Sequence, residues 1–281
     1  MKNHQRIFKE ECLNNKMGKK RGISLRKEGI FNNKRGQLTI FIILAALIVI
    51  VGVLAFMFFP QIQTGFGIIS NNPNVFIQNC MEDKVKETVS MISLQGGSVN
   101  PQNYIPYEDE KIEYLCYTSE FYIPCVMQQP LLKQHIESEI KNEIKQESSE
   151  CLNSLKKSFE SQGYDVELKI KDTKVEILPN RISVTFENDL TLRKEEAERY
   201  DELKVNLNNN LYELVSIANS IISMEVRYGD SETTTYMNYY HDLKVEKHKQ
   251  TEGSTIYILT ERDNGNKFQF ASRSIAWPAG I

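Results

Sequence analysis

The stretch STIYILTERDNGNKFQFASR, residues 254–273, decides the fold class of this chain. Apolar and polar residues alternate over residues 254–262 and again over residues 267–273, which is the period of a β-strand with one buried face. Asn264-Gly265 lies between the two runs, and this dipeptide tolerates the positive φ angles of a tight turn. The stretch therefore predicts an antiparallel β-hairpin.

Outward from this hairpin, strand-like and helix-like patterns share the chain. Alternation with a period of two recurs at residues 164–171, 175–178 and 182–187. Apolar residues at helical spacing mark three longer stretches, residues 77–92, 132–159 and 207–222. Together these patterns predict an α+β fold in which amphipathic helices pack on an antiparallel sheet.

An uncharged apolar run of 22 residues, Leu38–Phe59, precedes this domain. A helix of that length spans about 33 Å, which is enough for a hydrocarbon core of ~30 Å. A cleaved secretory signal has a shorter apolar core followed by small residues, whereas here Phe58-Phe59-Pro60 follows. The sequence therefore predicts a single N-terminal transmembrane helix at residues 37–60.

The charges on either side of this run are of opposite sign. Residues 1–36 hold 11 Lys or Arg and three Asp or Glu, a net charge of +8; the whole chain carries −3, which leaves −11 for residues 37–281. Because cationic flanks stay in the cytoplasm, the N-terminus is predicted inside and the C-terminal domain outside the cell membrane. The acidic exterior argues against nucleic acid as a partner, and the basic leader is suited to membrane lipid.

Four parts follow from these patterns. They are a basic cytoplasmic leader (1–36), a transmembrane helix (37–60), a linker (61–74) and an extracytoplasmic α+β domain (75–281). Segment 61–74 is interpreted as a linker because its Gly and Pro residues interrupt a continuing helix.

The residues Lys34-Arg35-Gly36-Gln37-Leu38-Thr39 resemble the class III signal of type IV prepilins, of the archaeal type. The resemblance implies that a prepilin peptidase cuts between Gly36 and Gln37 on the cytoplasmic side and that the apolar helix stays with the mature chain. Two departures stand against it: Phe41 replaces the acid that many pilins carry at that position, and the leader is long unless Met17 is the start. A plain anchor without cleavage remains the alternative.

A second resemblance covers residues 76–97, FIQNCMEDKVKETVSMISLQGG. This segment is similar to a group of uncharacterised archaeal membrane proteins that pair such an anchor with a Cys-bearing helix and a Leu-Gln-Gly-Gly turn. The turn here is Leu94, Gln95, Gly96 and Gly97. The resemblance implies the architecture and the compartment, and no activity.

Four of the five cysteines lie in the predicted outside domain, where disulfides persist, and Cys12 lies in the leader. The segment YLCYTSEFYIPCV can fold back on itself and set Cys116 opposite Cys125, while Cys80 and Cys151 each lie on the apolar stripe of a helix. We therefore favour the pairs Cys116–Cys125 and Cys80–Cys151, with buried thiols as the alternative. No metal is predicted, because the spacing matches no common zinc site and the histidines do not cluster with the cysteines.

Catalytic signals are poor. The sequence has no G-x-S-x-G, H-E-x-x-H, G-x-x-x-x-G-K or G-x-G-x-x-G motif, so neither a catalytic residue nor a cofactor is predicted. Aromatic residues crowd two segments, as in interfaces, sugar-stacking surfaces or packed cores; they are Tyr104, Tyr107, Tyr114, Tyr117, Phe121 and Tyr122, and Tyr236, Tyr239 and Tyr240.

Two functions remain after these observations. The first is a membrane-anchored, single-pass cell-surface module that binds an extracellular protein or glycan, or has a structural role, without catalysis. The alternative is a pilin-like subunit of a type IV filament system. A membrane-anchored hydrolase comes last, because no residue stands out as its nucleophile.

Overall fold

The computed structural model describes residues 43–50 and 72–276. The chain divides into two units, Met1–Gly65 and Phe66–Ile281, and the second contains residues 72–276. Residues 43–50 are helical, and the helix labels below start in the second unit.

The predicted fold class is wrong in one part, the N-terminal transmembrane helix. Among the described residues, no helix combines the length and the apolar character that crossing a membrane requires. Of the predicted span 37–60, the structure describes residues 43–50 as helix, and eight residues rise only about 12 Å. The rest of that span lies outside the described residues, as do the leader and most of the predicted linker.

Five helices and nine strands make up residues 72–276. The helices are α1 (Pro73–Leu94), α2 (Leu132–Glu143), α3 (Lys145–Ser161), α4 (Leu211–Tyr228) and α5 (Thr234–Tyr239). The strands are β1 (Tyr104–Tyr107), β2 (Glu110–Tyr117), β3 (Val126–Met127), β4 (Asp165–Leu178), β5 (Arg181–Arg193), β6 (Ala197–Asn208), β7 (Leu243–Lys249), β8 (Ser254–Glu261) and β9 (Lys267–Arg273). The domain is therefore α+β.

The strands form two sheets instead of the single antiparallel sheet predicted. Strands β4, β5 and β6 form an antiparallel sheet of three, and a six-stranded sheet has the order β1-β2-β9-β8-β7, with β3 paired to β2. The hairpin predicted at Asn264-Gly265 is present, because β8 pairs antiparallel with β9 from Ser254↔Arg273 to Thr260↔Lys267. Strand β2 runs parallel to β9, so this sheet is mixed.

Helix α1 shows how the sequence forms these elements. The side chain of Asn72 accepts a hydrogen bond from the backbone N–H of Asn74 (2.9 Å), and Pro73 occupies the first turn, where its missing N–H costs nothing. Pro73 thus starts a helix and does not extend the linker. One face of α1 is fully buried, and it belongs to a core that joins α1, α2, α3 and α4 to both sheets.

Candidate functional site

The Leu-Gln-Gly-Gly segment, residues 94–97, forms the turn that ends α1. The backbone N–H groups of Gln95 and Gly97 both donate to the carbonyl of Ile92, at 3.1 and 2.9 Å. Gly96 has φ +82° and Gly97 has φ +107°, a region that favours glycine because it has no Cβ. The backbone of the turn therefore requires both glycines.

These glycines also allow neighbouring elements to approach closely. A Cβ added at Gly96 would lie 2.7 Å from Cβ of Glu113 on β2, and one added at Gly97 would lie 3.0 Å from Cγ1 of Ile136 on α2. Both distances are shorter than ordinary carbon–carbon contacts of about 3.5–4.0 Å. The turn is therefore packed directly between β2 and α2.

A polar network follows the turn. The Ser98 hydroxyl donates to Oε2 of Glu113 at 2.5 Å and lies 2.8 Å from Nε2 of His135 on α2. The next backbone N–H, that of Val99, donates to Oε2 of Glu139 at 2.8 Å. Nothing in the sequence predicted this network, because Glu113, His135 and Glu139 lie 15, 37 and 40 positions from the residues that they contact and match no motif.

The arrangement of Ser98, Glu113 and His135 differs from that of a catalytic triad. In a triad the carboxylate orients the imidazole, whereas here both Glu113 and His135 contact the hydroxyl itself. Ser98 is only 6% exposed, so a substrate would not reach it. Burial raises the pKa of Glu113, and the hydrogen bond from Ser98 and the nearby His135 oppose that rise. The network therefore ties the turn to β2 and α2.

We expect Ser98→Ala to raise the pKa of Glu113 further, because the variant removes a hydrogen bond that favours the ionised carboxyl. The folded pKa lies above the unfolded value, so this carboxyl's contribution to stability is complete below about pH 4.3 and declines as the pH rises through the folded pKa. A carboxyl NMR titration of Glu113 measures the shift. Ser154→Ala on the exposed side of α3 is the matched control, and an unchanged pKa in S98A would contradict the role assigned to Ser98.

The four cysteines of the domain come together as two pairs. Cys80 on α1 and Cys151 on α3 are at disulfide distance, with a Cα–Cα separation of 6.2 Å. Cys116 and Cys125 are also at disulfide distance, with a Cα–Cα separation of 5.4 Å. Both separations lie within the usual range for disulfides, about 4.4–6.8 Å. The first pair links two helices, and the second closes the connection between β2 and β3. Cys12 lies outside the described residues.

The connection that Cys116 and Cys125 close carries an exposed apolar tip. Phe121 is 65% exposed, Tyr122 68% and Ile123 40%, and Val126, which follows at the start of β3, is 64% exposed. The rings of Phe121 and Tyr122 lie 6.5 Å apart. We call these four residues the loop tip.

The backbone of the connection is held by the end of β9 and by the segment that follows it. The N–H of Thr118 donates to the carbonyl of Arg273 (3.0 Å), and the N–H of Tyr122 donates to the carbonyl of Ile275 (2.6 Å). The N–H of Cys125 donates to the Ser274 hydroxyl at 3.2 Å. Tyr122 adopts φ +68°, which costs a non-glycine residue roughly 1–2 kcal/mol. These hydrogen bonds therefore restrain the connection that carries the loop tip, at a cost in backbone strain.

The crowded aromatic residues of the sequence divide between core and surface. Tyr114 is 7% exposed, and its hydroxyl lies 2.8 Å from Oγ of Ser254, so it belongs to the core. Tyr239 and Tyr240 at the end of α5 are 82% and 55% exposed. Whether each ring is buried depends on its position in the tertiary structure. The clustering of aromatic residues in the sequence does not predict that position.

Three carboxyl groups cluster at the end of the β8–β9 hairpin. Carboxylate oxygens of Asp242, Glu261 and Asp263 lie within 4.8 Å of one another. Burial raises the pKa of Glu261 most, and the negative charges of Asp242 and Asp263 raise it further. Asp242 and Asp263 are exposed, and exposed acidic groups commonly stand this close without a cation. No metal is assigned to this cluster.

The predicted cleavage site, Gly36 and Gln37, lies outside the described residues, so processing by a prepilin peptidase and the pilin-like alternative stay predictions of the sequence. No protein-family model, curated protein or solved structure matches this chain.

Proposed function

We propose that residues 72–276 form an extracytoplasmic binding module that recognises another protein through the loop tip. The observation that carries this proposal is the exposure of Phe121, Tyr122, Ile123 and Val126 on a connection closed by a cysteine pair. Water-exposed apolar side chains that are contiguous are typical of surfaces that bind a partner.

The restraint on the loop tip favours binding. When a partner binds a flexible loop, the loss of the loop's conformational entropy weakens binding. A loop that is already ordered avoids this loss. Hydrogen bonds to the backbone of Arg273 and Ile275 and the pairing of Cys116 with Cys125 provide this order. Aromatic side chains at the centre of a patch contribute most of the binding energy in many interfaces.

The chemistry of the loop tip fits a protein better than a glycan or a membrane. Ile123 and Val126 are aliphatic, whereas sugar-stacking surfaces use planar rings. Glu120, next to the tip, is exposed, and residues 37–281 carry a net charge of −11, which disfavours an anionic lipid surface. An apolar surface on another extracellular protein can bury all four side chains.

The paired cysteines support the proposed compartment. Disulfides form and persist in oxidising compartments and are rare in the cytosol. Both pairs of the domain are at disulfide distance, and the buried Cys116 and Cys125 close the connection that carries the loop tip.

Site-specific photo-crosslinking in the native cells tests the proposal. With a photoreactive phenylalanine analogue at Phe121, we expect a discrete higher-mass product that disappears when Ile123→Asp is added, because a charge at the tip cannot enter an apolar contact. The matched control places the analogue at Tyr212, which is 36% exposed near the start of α4. Tyr212 lies about 24 Å along α4 from Tyr228 at the other end of the helix. Gly229, which follows Tyr228, lies close to Ser274 and Ala276 in the segment that holds the loop.

Products of the same size and yield from both positions would contradict recognition by the loop tip, as would the absence of any product from Phe121. Ile123 is 40% exposed, so I123D should keep the fold, and an unchanged circular dichroism spectrum checks this.

A further inference from the structure

A cavity of about 330 Å³ lies away from the loop tip and the Ser98 network. It is formed by the second half of α1, by the connection between β6 and α4, and by the turn between β8 and β9. The side chains that carry the argument are Lys86, Ser90, Ser93, Asn208, Asn266 and Lys267. Its volume is at the lower end of the range for ligand sites, roughly 300–1,000 Å³, which suits a molecule of monosaccharide size.

The charge of this cavity is unusual for the domain. Lys86 and Lys267 are the only charged residues that line it, and no carboxyl group does so. Within residues 72–276 neither lysine forms an ion pair. Glu246, a carboxyl that Lys267 influences, is itself paired with Lys244 at 2.8 Å. In a part of the chain with a net charge of −11, two unpaired cations facing one cavity create a local site for an anion.

A second cavity, between α1 and α3, shows the contrast. Its lining combines Lys84 and Lys145 with Glu143, Glu147 and Glu150, and Lys84 is paired with Glu143 at 2.9 Å. The charges of that groove are therefore largely balanced within the protein. The cavity between Lys86 and Lys267 lacks such a balance.

The remaining lining is polar and carries both donors and acceptors. Ser90 and Ser93 provide hydroxyls, and Asn208 and Asn266 provide amides. Ser93 is 5% exposed and lines the cavity, so its hydroxyl is a further group that a ligand in the cavity can reach. A hydroxyl can both donate and accept a hydrogen bond, so Ser90 and Ser93 each suit a ligand hydroxyl.

The end of α1 determines how a ligand would be oriented. The carboxyl end of a helix carries about half a negative charge, so an anionic group is disfavoured next to Leu94. The two lysines carry whole positive charges and attract the anionic group to their side. A ligand that places its anion between the lysines and its hydroxyls toward Ser93 meets both requirements.

We propose that this cavity binds a small anion that bears hydroxyl groups, of the class of acidic sugars. The anionic group lies between Lys86 and Lys267, and the hydroxyls bond to Ser90, Ser93 and the asparagine amides. This site is independent of the loop tip, so the failure of one proposal leaves the other standing.

Isothermal titration of the full chain at low salt tests the proposal with glucuronate, glucose and inorganic phosphate. We expect glucuronate to bind at least about tenfold more tightly than glucose, which lacks the charge, and than phosphate, which lacks the sugar hydroxyls. The double variant Lys86→Gln, Lys267→Gln should weaken glucuronate binding by about tenfold or more. Lys145→Gln, which removes a lysine from the balanced groove, is the matched control and should leave binding unchanged.

Equal binding of glucuronate and phosphate would overturn the assignment to an acidic sugar. Equal binding by the double variant and the original chain would overturn the site itself. Both lysines are exposed, so the variants should fold normally, and an unchanged thermal midpoint checks this.

Discussion

Replacing both Cys80 and Cys151 by alanine is expected to lower the free energy of unfolding by about 4 kcal/mol. These cysteines are 71 positions apart and join α1 to α3. In the chain-entropy model a disulfide destabilises the unfolded chain by restricting it, and a loop of this length corresponds to about 4.4 kcal/mol at 25 °C. The paired helices bury their apolar faces in the same core, so the pair also maintains the packing beneath both sheets.

Denaturant unfolding of the oxidised chain measures this loss. The matched control is the double variant of Cys116 and Cys125, which are nine positions apart, so the same model predicts a smaller loss of about 2.7 kcal/mol. Peptide mapping without reductant identifies the bonds directly. Four alkylatable thiols in the domain, or equal losses for the two double variants, would contradict this account.

The second large effect is expected at the turn that ends α1. Gly96→Ala should lower the free energy of unfolding by about 3 kcal/mol through two separate costs. The backbone at φ +82° costs an alanine roughly 1–2 kcal/mol, and the new Cβ, 2.7 Å from Cβ of Glu113, forces an overpacked contact that costs about 1–3 kcal/mol.

Gly265→Ala separates these two costs. Gly265 has φ +74°, close to that of Gly96, but a Cβ there has no neighbour within 4 Å. Only the backbone cost applies, so denaturant unfolding should show a loss of roughly 1–2 kcal/mol. If G96A and G265A lost the same stability, the close approach of β2 to the turn would contribute nothing, and the packing argument for the Leu-Gln-Gly-Gly segment would be wrong.

Regular patterns in the sequence predicted much of the secondary structure. The hairpin at Asn264-Gly265 and the stripe of α1 were identified, because a strand or helix with one buried face repeats its apolar residues with its own period. The long stripe of residues 132–159 was predicted as one helix, but it divides at Ile144 into α2 and α3. Neither Gly nor Pro marks this break, and Ile144 itself is fully buried between the two helices.

Strand β6 was missed for a different reason. Its buried residues, Leu203, Val205 and Leu207, alternate only in its second half, and its first half is mostly exposed. Leu207 also lies four positions before Leu211, which fits a helical period, so it was assigned to the helix that became α4. Pairing with β5 decides that this segment is a strand.

By itself, the sequence determined the features that depend on neighbours along the chain: the periods of strands and helices, the turn at Gly265 and the faces that carry Cys80 and Cys151. The tertiary structure alone decided the mixed sheet, the Ser98 network, the exposure of the loop tip and the two lysines that share one cavity. The physical reason is distance along the chain. Ser98 meets His135 across 37 positions, and Lys86 and Lys267 come from opposite ends of the domain, so only folding brings them together.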